Sequence, residues 1–290
     1  QPLSGTGLGG YRTGKEGTMY RGPDPKPGWL DFGNRGRGTA VTDGLLPSLR
    51  PIWDLHLRDT SICNGEDGFY YMTGSSGDNI WDFNTGIELW KSPDLQNWDY
   101  MGFVWTFDKD GTWERDWRWH HNPVRAIWAP EIHYLKSQKN YFLTICMPPG
   151  NRGILKSTTG KPEGPYVNAL ANDGFLPRGI DGTLFEDDDG KVYFTSDGAG
   201  SIYLMKPDMS GFDGDPHRIV VEGHNGSVAG EGASLFKANG LYYIGGARTV
   251  DGRYSSVCAI SDNVLGPYHD YHEAVPCAGG TDYFQAKDGS

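Results

Sequence analysis

Four carboxylate side chains stand at the same place in a repeated sequence pattern. In each copy the carboxylate precedes a Gly or Asn turn by nine residues, and an aromatic segment (FYYM, YFLT, KVYF or LYYI) follows the turn at once. Asn commonly replaces Gly where the backbone angle φ must be positive. The four carboxylates are Asp59, Glu131, Asp181 and Glu231.

Converging carboxylates indicate acid–base hydrolysis. Carboxylates held close together raise one another's pKa because like charges repel. The recurrence of a carboxylate in four repeats therefore favours a functional role for the set. Hydrolysis of a glycosidic bond needs one carboxylic acid to protonate the leaving oxygen and a second carboxylate to activate water. The alternative is that each carboxylate caps backbone N–H groups or binds a cation. The sequence has no Ser-His-Asp order, no HExxH motif and no phosphate loop.

The elements that must position these carboxylates are predicted to be the inner strands of a propeller. From Asp59 the pattern recurs after 72, 50 and 50 residues, and a fifth copy without a carboxylate follows 49 residues later at Gly280. The first copy reads as four strands, SICNG, FYYMTGS, GIELWKS and DYMGFVW. Repeats of about 40–50 residues with several short strands are typical of β-propellers. We therefore predict an all-β fold, a five-bladed β-propeller of four-stranded antiparallel blades around a central axis.

The pattern also predicts the domain organisation. Residues 51–290 are expected to form a single catalytic propeller domain. Residues 1–50 are rich in Gly, Pro and charge, and we predict an extended arm packed on the propeller. The fifth blade begins in CAGGTDYFQAKDGS, and is either incomplete or completed by this arm.

An insertion in the first repeat is rich in Trp and His. It lies in residues 105–126, and its flat indole faces suit the apolar faces of sugar rings. Aromatic packing is the alternative interpretation. The candidates are Trp105, Trp113, Trp117, Trp119, His120, His121 and Arg125, and Trp119 and His121 are predicted to bind substrate.

Composition limits the possible partners. A net charge of −11 argues against nucleic acid or an anionic membrane as partner. No apolar run of about 18 residues is present, so no membrane span is predicted. A neutral oligo- or polysaccharide is the expected partner, and we expect a monomer. Gln1 in place of an initiator Met favours a processed protein, secreted, periplasmic or at the cell surface.

The four cysteines do not form a metal or redox motif, because no CxxC spacing occurs. Most are predicted to be buried free thiols, and one pair, Cys258 with Cys277, is a candidate disulfide.

Motif order and spacing resemble glycoside hydrolase family 43, the inverting glycosidases of a five-bladed propeller clan, over residues 53–289. The resemblance rests on RDTS at 58–61, DGFYYMTGS, IWAPEIHY, GIDGTLFEDDDGKVYF and GEGASLFK. It implies that Asp59 is the general base, that Asp181 tunes the acid, and that Glu231 is the general acid. Arg58, Trp128 and Glu131 are expected to contact substrate, and either Arg58 or a nearby His to orient Asp59.

The resemblance also bears on cofactors and substrate. No cofactor is expected to be required, although a structural calcium in the central channel is possible in such propellers. The predicted function is exo-acting, inverting removal of arabinofuranose, xylose or galactose-type sugars from plant or algal polysaccharide side chains. For inversion, the carboxyl groups of Asp59 and Glu231 should lie about 6.5–9.5 Å apart.

Two alternatives remain open. The first is a lectin-like propeller that binds carbohydrate in the same pocket without turnover. The second is the retaining, fructan-cleaving propeller clan, in which an Arg-Asp pair sits in a middle blade. Here Arg58-Asp59 opens the first blade, which disfavours that clan.

Overall fold

The computed structural model describes residues 56–77, 80–118 and 124–289. It also describes the backbone of two short antiparallel strands, β1 (Tyr11–Thr13) and β2 (Met19–Arg21). The remainder of the predicted arm at 1–50, together with Trp119 and His121, lies outside the described residues.

The described part of the chain forms a β-propeller with four blades, each a four-stranded antiparallel sheet of consecutive strands. The first blade comprises β3 (Leu57–Asn64), β4 (Tyr70–Ser76), β5 (Gly86–Ser92) and β6 (Asp99–Thr106). The second comprises β7 (Trp128–Leu135), β8 (Asn140–Met147), β9 (Asn151–Ser157) and β10 (Tyr166–Asn168).

The later blades repeat this up-and-down order. The third comprises β11 (Thr183–Glu186), β12 (Val192–Thr195), β13 (Ser201–Leu204) and β14 (His217–Arg218). The fourth comprises β15 (Glu231–Ala238), β16 (Leu241–Val250), β17 (Arg253–Ser261) and β18 (His269–Val275).

Apolar layers between neighbouring blades hold the ring together. All seven residues of β4 are buried, because a blade inside a propeller has a neighbour on each face. Three clusters of buried side chains fill the spaces between blades one and two, two and three, and three and four. Aromatic and β-branched residues suit such sheets, whose two faces are both covered.

Residues Cys277–Gly289, where the repeat predicted a fifth blade, form no strand. They bridge blade four and blade one instead. The Gly279 N–H donates to the Tyr254 carbonyl at 3.1 Å, and the Lys287 N–H donates to the Tyr70 hydroxyl at 2.9 Å. The sequence therefore predicted the blade type correctly, and four blades are found among the described residues.

The insertion after β6 was predicted not to form a strand of a blade, and the structure confirms this. It contains two one-turn helices, α1 (Phe107–Asp110) and α2 (Trp113–Asp116). Trp105 is fully buried, and the half-buried Trp113 and Trp117 pack against the same core cluster. The sugar-platform interpretation is therefore wrong for Trp105, because its ring belongs to the core.

The cysteines are free. Cys63, Cys146 and Cys258 are buried, as predicted, and Cys277 is exposed. The candidate disulfide between Cys258 and Cys277 is not formed. No helix in the described ranges is long and apolar enough to cross a membrane.

Candidate active site

A small cavity lies where the four inner strands begin. Its volume is about 120 Å³, and its walls come from all four blades and from the segment at 280–282. The sequence-predicted residues that it brings together are Arg58, Asp59, Trp128, Glu131, Asp181 and Glu231.

A backbone irregularity at the start of each inner strand aims residues into this cavity. Asp59 and Asp181 have positive φ angles of 51° and 49°. The same feature occurs at Ala129, Gly232 and Gly280, with φ of 39°, 62° and 71°. Strands β3, β7 and β15 each contain a register shift at this place. Such bulges turn side chains and are common next to active sites.

The strand register corrects one prediction. The first paired residue after the bulge is Ser61 in blade one and Glu131 in blade two. Glu131 is thus equivalent to Ser61 and not to Asp59, and Glu231 lies one residue before its bulge. The nine-residue spacing misled because Asn140 comes eleven positions after the bulge residue Ala129, whereas Gly68 comes nine positions after Asp59.

Asp59 is held by two neighbours. The Arg58 Nε lies 3.1 Å from its Oδ1, and the Ser75 hydroxyl donates to its Oδ2 at 3.4 Å. Burial raises the pKa of Asp59, while the charge and hydrogen bond of Arg58 and the hydroxyl of Ser75 oppose that rise. The predicted contact between Arg58 and Asp59 is present, and it favours the ionised form of Asp59.

An aromatic rim flanks Arg58. Its guanidinium lies 4.5 Å from the centroid of the Trp81 ring. The Trp128 Nε1–H donates to the Trp81 carbonyl at 2.9 Å, and the two indoles meet edge to face. Trp128 and Trp81 both line the pocket. The contact of Trp128 with substrate stays a prediction, and sequence reasoning missed Trp81.

Asp181 and Glu231 are linked through the backbone. The Gly232 N–H donates to Asp181 Oδ2 at 2.9 Å. Burial raises the pKa of Asp181 to about 7, the Gly232 N–H opposes this, and the carboxylates of Asp59 and Glu231 add to it. Its charge therefore appears only near neutral pH.

Glu131 lies on the floor of the cavity beside His133. The two side chains approach to 3.1 Å between Oε2 and Nε2. Burial raises the pKa of Glu131 to about 8 and lowers that of His133 to about 4. Although the distance is that of an ion pair, both groups are neutral at pH 7, because burial disfavours both charges.

A second cavity of about 60 Å³ continues along the axis beneath this floor. Among the described residues, three buried polar atoms near it have no hydrogen-bond partner: Glu131 Oε2, His133 Nε2 and Ser234 Oγ. The 3.1 Å approach of the first two lacks the geometry of a hydrogen bond. Calcium takes about 6–8 oxygen ligands. Within the described ranges, no group of three or more His, Cys, Asp or Glu side chains is placed to hold a metal ion. Because calcium ligands also include backbone carbonyls and water, the structural calcium that the resemblance implied stays a prediction.

Fold and site together define a propeller with a pocket lined by carboxyl groups. The chain belongs to family 43 of the glycosyl hydrolases, whose family model matches residues 48–284.

Comparison with known proteins agrees with this membership. The chain is 32% identical over 203 residues to the β-D-galactofuranosidase xynD of Aspergillus niger, which covers 63% of this chain and 55% of that protein. It is 26% identical over 280 residues to xylosidase/arabinosidase 43B of Humicola insolens, and this alignment covers 86% of this chain and 47% of that protein. The chain thus spans about half the length of these two curated relatives.

Solved structures share the fold. The crystal structure of an endo-1,4-β-xylanase from Bacteroides thetaiotaomicron superposes with a TM-score of 0.61 at 24% identity, covering 81% of this chain and 82% of that one. At that identity the likeness concerns the fold alone.

Proposed function

We propose that this chain is an inverting, exo-acting glycoside hydrolase. The observation that carries the proposal is the single cavity shared by Asp59, Asp181 and Glu231. Asp59 and Glu231 reach it from the first and fourth blades. Inversion requires room for a sugar and a water between an acid and a base, so we propose that the two carboxyl groups lie about 6.5–9.5 Å apart.

In the proposed mechanism, Glu231 gives its proton to the glycosidic oxygen as the bond from that oxygen to the anomeric carbon breaks. Water attacks the opposite face of the sugar and gives its proton to Asp59. The leaving group departs as an alcohol, and the new C–O bond has inverted configuration. NMR of the first-formed product tests this step, because a retained anomeric configuration would overturn it.

The substrate proposal rests on size and lining. A cavity of about 120 Å³ is small, which favours one terminal sugar over a segment of several rings. Trp128 offers an apolar face, and Arg58 and Glu131 offer polar contacts to hydroxyl groups. The two curated relatives are named as a β-D-galactofuranosidase and a xylosidase/arabinosidase. We propose terminal sugars of these types on plant or algal polysaccharide side chains, cleaved outside the cytoplasm.

We also propose that residues 277–289 belong to the inner strand of a fifth blade. Gly280 has the positive φ of the bulge residues, and Asp282 follows it at the place of Ser61. The Ile62 N–H donates to Asp282 Oδ2 at 3.2 Å, and the Tyr283 ring stacks on Phe236. An experimental structure in which blades four and one pack directly on each other would contradict this.

The deciding experiment combines turnover with binding. Aryl α-arabinofuranoside, β-xyloside and β-galactofuranoside are offered to the wild type and to Glu231→Gln, with product release and calorimetric binding measured on both. Loss of turnover with binding retained supports the hydrolase. Binding by the wild type without turnover of any substrate would favour the lectin-like alternative. Turnover unaffected in Glu231→Gln would remove Glu231 from the mechanism.

The mechanism uses no cofactor. Overnight treatment with EDTA should therefore leave kcat within about twofold of the untreated enzyme. A loss that calcium restores would show that an ion is required after all.

A further inference from the structure

We propose that Tyr254 is a positioning residue for the general acid and selects the oxygen of Glu231 that carries the catalytic proton. The inference rests on the proposed hydrolase function. The Tyr254 hydroxyl lines the cavity and donates to Glu231 Oε1 at 2.5 Å. Oε1 is thereby occupied as an acceptor, and Oε2 is left to hold the proton that moves to the leaving group.

The ring of Tyr254 is fixed by a neighbouring segment of chain. Gly279 passes so close that a Cβ placed there would lie 2.2 Å from Tyr254 Cε1. The backbones are joined by the 3.1 Å hydrogen bond from Gly279 N–H to the Tyr254 carbonyl. The Ser256 hydroxyl donates to the Ala278 carbonyl at 2.7 Å and holds the same segment. Tyr254 therefore presents its hydroxyl from a defined position.

The hydroxyl remains a donor throughout the working pH range. Burial, the hydrogen bond to Glu231 and the charge of that carboxylate raise the pKa of Tyr254 well above its usual value. The tyrosyl proton therefore stays on Tyr254 while the proton on Oε2 of Glu231 transfers to the glycosidic oxygen. A hydrogen bond to a charged acceptor is stronger than one to a neutral group, so the interaction strengthens as Glu231 becomes a carboxylate.

Two independent contacts then hold the acid. Asp181 binds the backbone of Gly232 directly after it, and Tyr254 binds its side chain. The backbone contact alone leaves the terminal torsion of a Glu side chain free, since that torsion is broad and roughly two-fold. Tyr254 supplies the missing constraint.

The test is a leaving-group series on Tyr254→Phe. The 2,4-dinitrophenolate leaving group departs from its glycoside without protonation. The methoxide or phenoxide leaving group of a methyl or phenyl glycoside needs a proton from the general acid. We expect kcat/KM to fall about 10- to 100-fold on the poor leaving groups, part of the 10²–10⁴ that acid–base catalysis contributes, and less than about threefold on the dinitrophenyl substrate. The loss should lie in kcat and leave KM nearly unchanged, because Tyr254 is proposed to act on proton transfer and not on substrate binding.

Two further variants keep the test sharp. Tyr243→Phe removes a hydroxyl from the same blade, away from the cavity, and should leave the series unchanged. Gly279→Ala keeps the tyrosine but forces its ring away, and should reproduce the leaving-group dependence if Tyr254→Phe does not fold. Equal losses across all leaving groups, or none, would overturn the inference.

Glu231→Gln in the same series separates the two ideas. If it loses activity mainly on poor leaving groups while Tyr254→Phe does not, only the role of Tyr254 fails. If Glu231→Gln behaves as wild type, the proposed mechanism itself fails.

Discussion

At the residue scale, the proposed base is governed by a balance between burial and Arg58. Burial raises the pKa of Asp59, and the Arg58 guanidinium opposes it from 3.1 Å. A base must be ionised, so activity is lost as pH falls through this pKa. The position of the acid limb of the pH–rate profile should therefore depend on whether Arg58 is present beside Asp59.

Arg58→Ala is expected to move the acid limb to higher pH and to reduce kcat/KM about 10-fold or more at pH 5. Arg58→Lys is the matched control, because it keeps the charge but not the fixed geometry of the guanidinium, and should move the limb less. Steady-state rates between pH 4 and 9 check both. An unmoved limb in Arg58→Ala would mean that Arg58 serves substrate binding only.

Asp181 permits a more specific prediction, since its charge appears only around its pKa of about 7. Asp181→Asn removes a charge that is present only above that pH. The variant should therefore change kcat/KM mainly above about pH 7 in the pH–rate profile. Near pH 5, where Asp181 is already neutral, Asp181→Asn removes no charge and should reduce activity little.

The control for Asp181→Asn is Asp181→Ala. Asn keeps an oxygen that can accept the Gly232 N–H, and Ala does not. Ala should therefore reduce kcat at all pH values, whereas Asn should act mainly at the alkaline limb. Identical profiles for the two variants would contradict a separate electrostatic role.

At the scale of elements, the bulges decide which side chains reach the cavity. Gly280, the bulge residue of the bridging segment, has φ of 71°, and a Cβ there would lie 3.0 Å from Asp59 Oδ1. Gly280→Ala should therefore displace the base as well as strain the backbone. We expect kcat to fall at least about 10-fold.

Gly252→Ala is the matched control for Gly280→Ala. Gly252 also has a positive φ, of 77°, but a Cβ there meets none of the described residues within 4 Å. The two variants should lose similar stability, about 1–2 kcal/mol of left-handed backbone strain, measured by urea unfolding. Only Gly280→Ala should lose activity, and equal activity in both would show that the space beside Asp59 is not required.

The same elements explain what could be read from the sequence. The strands of the four blades could be predicted from turn residues and aromatic segments, because those patterns are local in the sequence. The bulges were not predictable, since they change the register without an obvious change in residue type, and so Glu131 was placed two residues out of register. Tyr254 and Trp81 were missed because they come from outer strands and loops. Alternating strand direction returns the β4–β5 and β16–β17 loops to the mouth, and this topological argument is the signal that would have found them.

At the scale of the whole molecule, buried carboxyl groups on the axis link protonation to stability. Burial raises the pKa of Glu131 to about 8, and the pKa values of Asp181 and Asp282 to about 7. In the unfolded chain these groups release their protons at about 4. The folded state therefore holds more protons near neutral pH, and its stability must fall as pH rises.

His133 acts in the opposite direction but in a different range. Burial lowers its pKa to about 4, so it contributes stability that grows only up to the unfolded value of about 6.5. Between pH 6.5 and 8 the carboxyl groups act alone among these four. Thermal unfolding is therefore expected at a temperature higher by about 4 °C or more at pH 6.5 than at pH 8, since about 1 kcal/mol corresponds to about 2–4 °C in chains of roughly this size. Glu131→Gln and Asp282→Asn replace the carboxyl groups by neutral isosteres, so each should reduce the fall of the unfolding temperature between pH 6.5 and 8. An unfolding temperature that rises from pH 6.5 to 8 would show that the carboxyl groups on the axis do not hold these protons.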